Sequence, residues 1–353
     1  MKDNKTYNTV VQNNRTYYID IARGIALIFL VLGHIVTGNS FLFNWIFSFH
    51  MPLFFFLAGM CAKDIKGSFS SYVTKKTNQR LLPYFIITAI GFLICMLIPS
   101  YRAVIFDDGW ISQLKHCFLF MQPINLYIGQ VWFLASLFWA EFYFFIWYKL
   151  CHRLPVLLQL FAALLLIPIA SNLWRIQPYI PLTGRIPFHM DSACIGAFCY
   201  ILGFLTKKYN LIEKASKWAY LLIPPACFLN IYFGAFLNGY VNICNLIYGT
   251  VSLFLASMIF GIMAVVLFSF VINRCRLLEW YGQHSLPLFA SHTLLIYLVR
   301  EFVYWITGTH YIMMGNVPDN ISFLMTGTVL FLFLLVGKGY DLLYKYFHWS
   351  KKV

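Results

Sequence analysis

Charge is what this sequence has least of. Asp, Glu, Lys and Arg make up 11% of its 353 residues, against about 25% in an ordinary soluble domain. That is too little to cover a water-facing surface, so a soluble globular protein is excluded. Acidic residues are scarcer still, 12 against 26 basic ones. No Cys-x-x-Cys pair occurs and the nine cysteines are scattered, most of them in apolar stretches, so neither a paired disulfide framework nor a metal site is expected. No Gly-x-Ser-x-Gly stands anywhere to supply a serine nucleophile. Internal repeats, low-complexity tracts and linkers are missing, and the longest polar stretches, about 20 residues, are too short to fold alone. No small-residue cleavage site follows the first apolar stretch, which is expected to stay as an anchor.

What the chain has is apolar runs of helical length. It is 61% hydrophobic with a mean hydropathy of +0.72, which points to an all-α integral membrane protein of about ten transmembrane helices rather than a barrel. The spans read as 21–37, 42–62, 81–99, 130–149, 155–171, 188–206, 218–236, 246–272, 286–300 and 322–340. Residues 113–127, interrupted by Pro123 and Asn125, read as an interfacial or re-entrant segment. On this arrangement only Arg102, Lys115, Arg175, Arg185 and Arg300 fall opposite the N-terminus. The positive-inside rule then puts both termini in the cytoplasm. It also accounts for most of the +14 net charge as orientation and contact with anionic lipid, with no nucleic acid needed. The expected organisation is a cytoplasmic segment 1–20, one membrane domain 21–340 and a cytoplasmic tail 341–353. Chemistry must then come from the spans and their short loops.

The first span carries ionisable groups that hydrocarbon penalises unless they are paired or used. Arg23 and His34 are 11 residues apart, a net rotation of about 20° and a rise of roughly 16 Å, so they share one helix face. Asp20 lies three residues before Arg23, within reach of an ion pair. Gly24 and Gly33 beside them admit close approach of a helix or ligand. The plain alternative is interfacial anchoring by Asp20 and Arg23 and a hydrogen-bonded packing role for His34. His50 opens the next span's "FHMPLFFF", where a short connection makes the two helices antiparallel neighbours, so both histidines can share one cavity toward the outer leaflet. Pro52 removes a backbone hydrogen bond there and is expected to kink the helix; His50 reads equally well as the group that holds the kink. The cluster "YVTKKTNQRLLPY" reads either as positive-inside anchoring or as a cytoplasmic site for a phosphorylated ligand.

Five stretches together carry a family resemblance. "IDIARGIALIFLVLGHI", "FHMPLFFFLAGM", "RLLPY" and "GQVWFLASLFWAE", followed late in the chain by "RLLEWYGQHSLPLFASH", resemble the acyltransferase-3 family of membrane O-acyltransferases, with the fucose 4-O-acetylase-like branch nearest in pattern. The resemblance covers about residues 17–300. It implies a ten-span fold that moves an acyl group, usually acetyl from cytoplasmic acetyl-CoA, to a hydroxyl of a sugar, cell-envelope polysaccharide or lipid-linked glycan outside. It implies that His34 is the family's first-helix histidine and that Arg23 lies near the donor path. Arg80 matches the end of a basic pair proposed to bind coenzyme A. Where many members have a second Arg, this chain has Thr77, and Lys76 offers a point charge without the two-pronged fork.

The two readings fit together. A phosphate-bearing donor would dock near Asp20, Arg23, Lys76 and Arg80, and its thin arm would cover the distance to His34. His34 would serve as general base on the acceptor hydroxyl or as a transient acyl carrier, and a neutral imidazole suits both. Glu141, mid-span, is read as an acceptor binder or as the orienter of a histidine. Trp132, His189, Asp191, His50 and His292 are candidate acceptor-binding groups, each with a structural alternative as belt, cap or packing residue. Acyl-CoA, a glycan acceptor and membrane lipid are the expected partners, a homo-oligomer is left open, and the expected location is a prokaryotic plasma membrane. The rival from another class is a proton-coupled transporter built on His34, Glu141 and Asp191, and a third reading is a non-catalytic binder of a lipid-linked sugar. No matched pair of broken helices favours the transporter.

Overall fold

The computed structural model describes residues 2–98, 102, 109–122, 129–180, 186–309, 311 and 317–349. Pro123, Asn125 and Arg185, all named in the sequence reading, lie outside them, as does part of the tail 341–353. The described residues are helical, with no strand among them beyond one isolated bridge between Asn242 and Ile247.

In chain order the main helices are α1 (Lys2–Ile35), α2 (Phe41–Phe47), α3 (His50–Met60), α4 (Phe69–Lys76), α5 (Leu82–Leu97), α6 (Trp132–Cys151), α7 (Val156–Leu164), α8 (Leu166–Asn172), α9 (Ala193–Lys208), α10 (Ala219–Ile231), α11 (Val251–Ile272), α12 (Arg276–Gln283), α13 (Ser285–Thr307) and α14 (Asp319–Trp349). Nine stretches among the described residues are long and apolar enough to cross a membrane. Each corresponds to one span expected from the sequence. The tenth expected span is α6, a 20-residue helix whose Glu141, Lys149 and Trp and Tyr side chains lower its hydropathy. The chain is a multi-pass helical membrane protein.

Four boundaries differ from the expectation for local reasons. α1 starts at Lys2, so the polar segment before the first span continues the same helix. The second span breaks at Ser48–Phe49, because Pro52 has no N–H to donate to the Ser48 carbonyl. α2 before the break is capped by Ser40, whose side chain accepts from the Phe43 N–H at 3.2 Å. The third helical stretch begins at Phe69, twelve residues earlier than expected. Ser68 caps its start, and a π-turn at Thr77–Leu81 carries the helix through the basic cluster into α5. α13 runs to Thr307, seven residues past the expected end at Arg300.

The chain divides into two compact units. One comprises Met1–His50, Ile212–Tyr240 and Ser252–Val353; the other comprises Met51–Leu211 and Val241–Val251. In the first unit α1 packs on α12, α13 and α14. The α1–α12 contact is close because both faces carry glycine. A Cβ on Gly24 would fall 2.3 Å from the Leu278 carbonyl oxygen, and one on Gly282 would fall 2.0 Å from that of Asp20. Leu32, Val36, Phe43 and Ile46 form a buried cluster where α1 meets α2. A buried polar knot ties α2, α10 and α11. Trp45 Nε1 donates to Asn230 Oδ1 at 2.6 Å, and Asn230 Nδ2 donates to Ser257 Oγ at 2.9 Å. Ser257 Oγ donates to Ser48 Oγ at 2.7 Å. In the second unit α6 packs along α9 with most of its residues buried, although it carries Glu141 and Lys149.

Candidate active site

The second unit builds a cation-rich cavity around one carboxylate. Lys76 and Arg80 are four residues apart, so a continuous helix through the π-turn brings both to the same side. Opposite them, halfway along α6, stands Glu141 with only 1% of its side chain exposed. Lys76 Nζ lies 2.7 Å from Glu141 Oε1. Arg80 forks onto the same carboxylate, Nε to Oε2 at 3.1 Å and Nη2 to Oε1 at 3.0 Å. Tyr200 Oη donates to Oε1 at 3.4 Å, and Tyr72 Oη donates to the Glu141 carbonyl at 3.0 Å. Two cations on one carboxylate leave one positive charge uncompensated. Lys63, Lys66 and Lys75 join Lys76 and Arg80 along a cavity of about 370 Å³, against the acids Asp64 and Glu141. Tyr148 Oη fixes Asp64 at 3.1 Å. Such a cavity attracts polyanions, and its Arg and Lys donors suit phosphate oxygens.

The first unit collects three buried histidines. His34 lies in the last turn of α1, His50 at the start of α3 and His292 in α13, with 5%, 2% and 0% exposure. The rings of His34 and His292 are 5.2 Å apart, centre to centre, and tilted by 35°. Phe47 touches both other rings, 6.1 Å from that of His34 and 4.8 Å from that of His50. His50 Nδ1 is 2.8 Å from the Ile46 carbonyl, and His292 Nδ1 meets the Phe289 carbonyl. A carbonyl only accepts, so in both neutral rings Nδ1 carries the hydrogen and Nε2 the lone pair. Further along α1, Arg23 Nη1 pairs with Asp20 Oδ1 at 3.2 Å, and Gln283 Nε2 reaches Asp20 Oδ2 at 3.5 Å.

A family model described as an acyltransferase domain, of the acyltransferase-3 type, matches residues 16–337. The chain belongs to the acyltransferase-3 family. It is similar over 83 residues, at 36% identity, to the nodulation protein NolL of Sinorhizobium fredii. That match covers 20% of this chain and 23% of NolL, so the chain spans under a quarter of that relative's length. No solved structure matches the chain. Membership of that family makes the buried histidines and the cation cavity the features to weigh against acyl-transfer chemistry.

The remaining expected residues form a third group, in the second unit. Trp132 opens α6, and its ring lies 5.7 Å from that of His189. Phe188 and His189 both have positive φ, 64° and 56°, a conformation costly for side-chain-bearing residues. Two contacts hold this turn: Phe188 N–H donates to the Phe120 carbonyl at 2.8 Å, and Gln122 Nε2 donates to the Ile186 carbonyl at 2.8 Å. Asp191, fully buried, accepts from the Ser192 N–H at 2.7 Å, and Ser192 Oγ bonds Ser136 Oγ at 3.1 Å. Trp132 is nine residues from Glu141 on α6, roughly 13 Å along the axis. The structure thus brings His34 to His50 and His292, Lys76 and Arg80 to Glu141, Asp20 to Arg23, and Trp132 to His189.

Several residues of these clusters escaped the sequence reading. Tyr72 and Tyr200 grip Glu141, Phe47 lies against two of the histidines, and Asp64 and Lys63 line the cavity. Tyr72 is one helical turn before Lys76, and a helix drawn back to Ser68 would have revealed it. Tyr200 gives no local signal, since it meets Glu141 from 59 residues away.

Proposed function

We propose that the chain transfers an acetyl group from acetyl-CoA to a hydroxyl of an extracytoplasmic sugar, cell-envelope polysaccharide or lipid-linked glycan. The observation that carries this reading is the cavity in which five cationic side chains outnumber two acids, with Lys76 and Arg80 held on Glu141. A phosphorylated carrier such as coenzyme A suits that charge. The reading places the cavity and both termini on the cytoplasmic side, in keeping with the distribution of basic residues.

His34 is the proposed base. It takes the proton of the acceptor hydroxyl as the oxygen attacks the thioester carbonyl, and the tetrahedral intermediate expels the coenzyme A thiolate, which recovers the proton from the imidazolium. The alternative order passes the acyl group through His34 before the acceptor. Glu141 has both oxygens engaged by Lys76 and Arg80, so its contribution runs through those cations. Asp20 and Arg23 form a paired charge on the face that leads along α1 to His34. Trp132, with His189 and Asp191 beside it, offers an aromatic face and buried polar groups of the kind that bind sugars. In the first unit, His50, whose Nδ1 is held by the Ile46 carbonyl, is a further candidate contact for the acceptor.

The test uses purified protein in lipid vesicles with radiolabelled acetyl-CoA and envelope glycans, wild type beside His34→Ala. Label reaching glycan with wild type and not with the variant supports the reading. Equal transfer by both removes His34 from the chemistry. Absence of donor binding and turnover by folded wild type, over a range of acceptors, removes acetyl-CoA as donor.

A further inference from the structure

The three buried histidines of the first unit are not equivalent, and the difference lies in which ring nitrogens have partners. His50 and His292 are each fixed by a backbone carbonyl at Nδ1. His34 Nδ1 and His292 Nε2 are buried, and neither has a hydrogen-bond partner among the described residues. An unpaired ring nitrogen in the interior costs stability. These two belong to facing rings, and they are complementary. The Phe289 carbonyl makes His292 Nε2 a lone pair, which requires a donor, and His34 Nδ1 is free to carry a hydrogen. A ring nitrogen lies about 1.2 Å from its ring centre, so two nitrogens turned toward each other across 5.2 Å stand roughly 2.8 Å apart, hydrogen-bond distance. The bond forms when the two rings turn these nitrogens toward each other.

We propose that His292 is the positioning residue of His34: its Nε2 accepts the His34 Nδ1 hydrogen and so leaves the His34 Nε2 lone pair as the base. The proposal rests on the acyl-transfer reading for what that base does, and on the ring geometry alone for the dyad. The chain of carbonyl, His292 and His34 does for this base what a carboxylate does for the histidine of a serine hydrolase, since the bond at one nitrogen decides which tautomer is present. In the transfer step the acceptor O–H proton goes to His34 Nε2. The resulting imidazolium keeps its Nδ1–H on His292, which stays neutral throughout. The Nε2 proton then passes to the departing thiolate. A neutral partner also suits a site within a membrane span, where a carboxylate would need its own counter-charge. His50 is not part of the dyad: its Nδ1 is held by the Ile46 carbonyl, and neither of its nitrogens is among the buried atoms left without a partner.

The experiment reads the tautomer directly. Protein labelled with 15N-histidine is placed in lipid nanodiscs at alkaline pH, where imidazoles are neutral, and His34 is assigned by comparison with His34→Gln. The expected wild-type spectrum shows His34 protonated at Nδ1. His292→Phe removes the acceptor and is expected to shift His34 toward the Nε2–H form. It should lower kcat by roughly 100-fold or more with KM for the donor little changed, the range that a correctly placed base contributes. His292→Gln supplies an amide oxygen as acceptor and is expected to retain the Nδ1–H form and most of kcat. A wild-type His34 protonated at Nε2 overturns the proposal, and that spectrum needs no variant to fold. An unchanged tautomer in folded His292→Phe overturns it as well. Wild type that transfers no acyl group yet shows the His292-dependent tautomer supports the dyad and sinks only the acyl-transfer reading.

Discussion

Replacing Glu141 with Gln keeps the shape of the side chain and removes its charge, and the structure says what that should do. The carboxylate is 1% exposed, while Lys76 and Arg80 keep 15% and 27%. Without it, two cations that now share Oε1 face each other with only amide dipoles between them. Removing one partner of a fully buried ion pair costs about 3–5 kcal/mol. The partial exposure of both cations lets water solvate them and lowers the expected loss to the bottom of that range, about 3 kcal/mol. That is roughly a hundredfold in an equilibrium constant, and unfolding of membrane proteins in detergent is often irreversible, so the half-life at a fixed temperature is the quantity to measure. The second arm is Glu141→Gln with Lys76→Met. Deleting one cation relieves the repulsion, so the double variant should be longer-lived than Glu141→Gln alone. A Glu141→Gln half-life within a factor of two of wild type, or a double variant less stable than the single one, would refute the reasoning.

Arg80→Lys keeps the charge but loses the fork onto Glu141; it should cost about 1–2 kcal/mol and weaken donor binding 5- to 30-fold, read by titration calorimetry or radioligand binding. Gly282→Ala should destabilise by about 1–3 kcal/mol because its Cβ meets the Asp20 carbonyl, whereas Gly327→Ala, with open space around it, should be neutral or stabilising; paired thermal-inactivation curves decide. Asn230→Leu leaves Trp45, Ser48 and Ser257 with lost partners and should cost about 1–2 kcal/mol, from bonds worth about 0.6 each in membrane proteins; equal inactivation temperatures would show that the knot does not stabilise the bundle.

Much of the bundle was legible because hydropathy over a helix-length window records which segments can lie within hydrocarbon. Nine expected spans recur as apolar helices for that reason. The start of the third was misplaced because Lys75, Lys76 and Arg80 depress the local hydropathy. They are tolerated in a helix since Glu141 pairs with two of them, and that partner lies 61 to 65 residues away in sequence. The break in the second span was announced by Pro52, a purely local cause. Of the candidate site, the shared face of Asp20, Arg23 and His34 follows from helical geometry alone. The pairing of His34 with His292 joins residues 258 positions apart and depends on how α1 meets α13, which no window reveals.

α6 shows why the span with a buried carboxylate deserved the most weight. A helix that faces lipid must be apolar all round, whereas a helix enclosed by protein is free to carry polar groups provided each is paired. α6 carries Glu141 and three tryptophans, and it is the span that falls short on hydropathy, yet most of its residues are buried. Its polarity is therefore accommodated by neighbours: Lys76, Arg80 and Tyr200 around Glu141, and Ser192 against Ser136. Low hydropathy combined with burial marks the helix around which ionisable partners must gather. It follows that the cations proposed to hold a phosphorylated donor are the same ones that neutralise a buried carboxylate. Stability and donor binding should then fall together in Glu141→Gln; in His34→Gln transfer should fail with stability nearly intact, since His34 Nδ1 has no hydrogen-bond partner among the described residues.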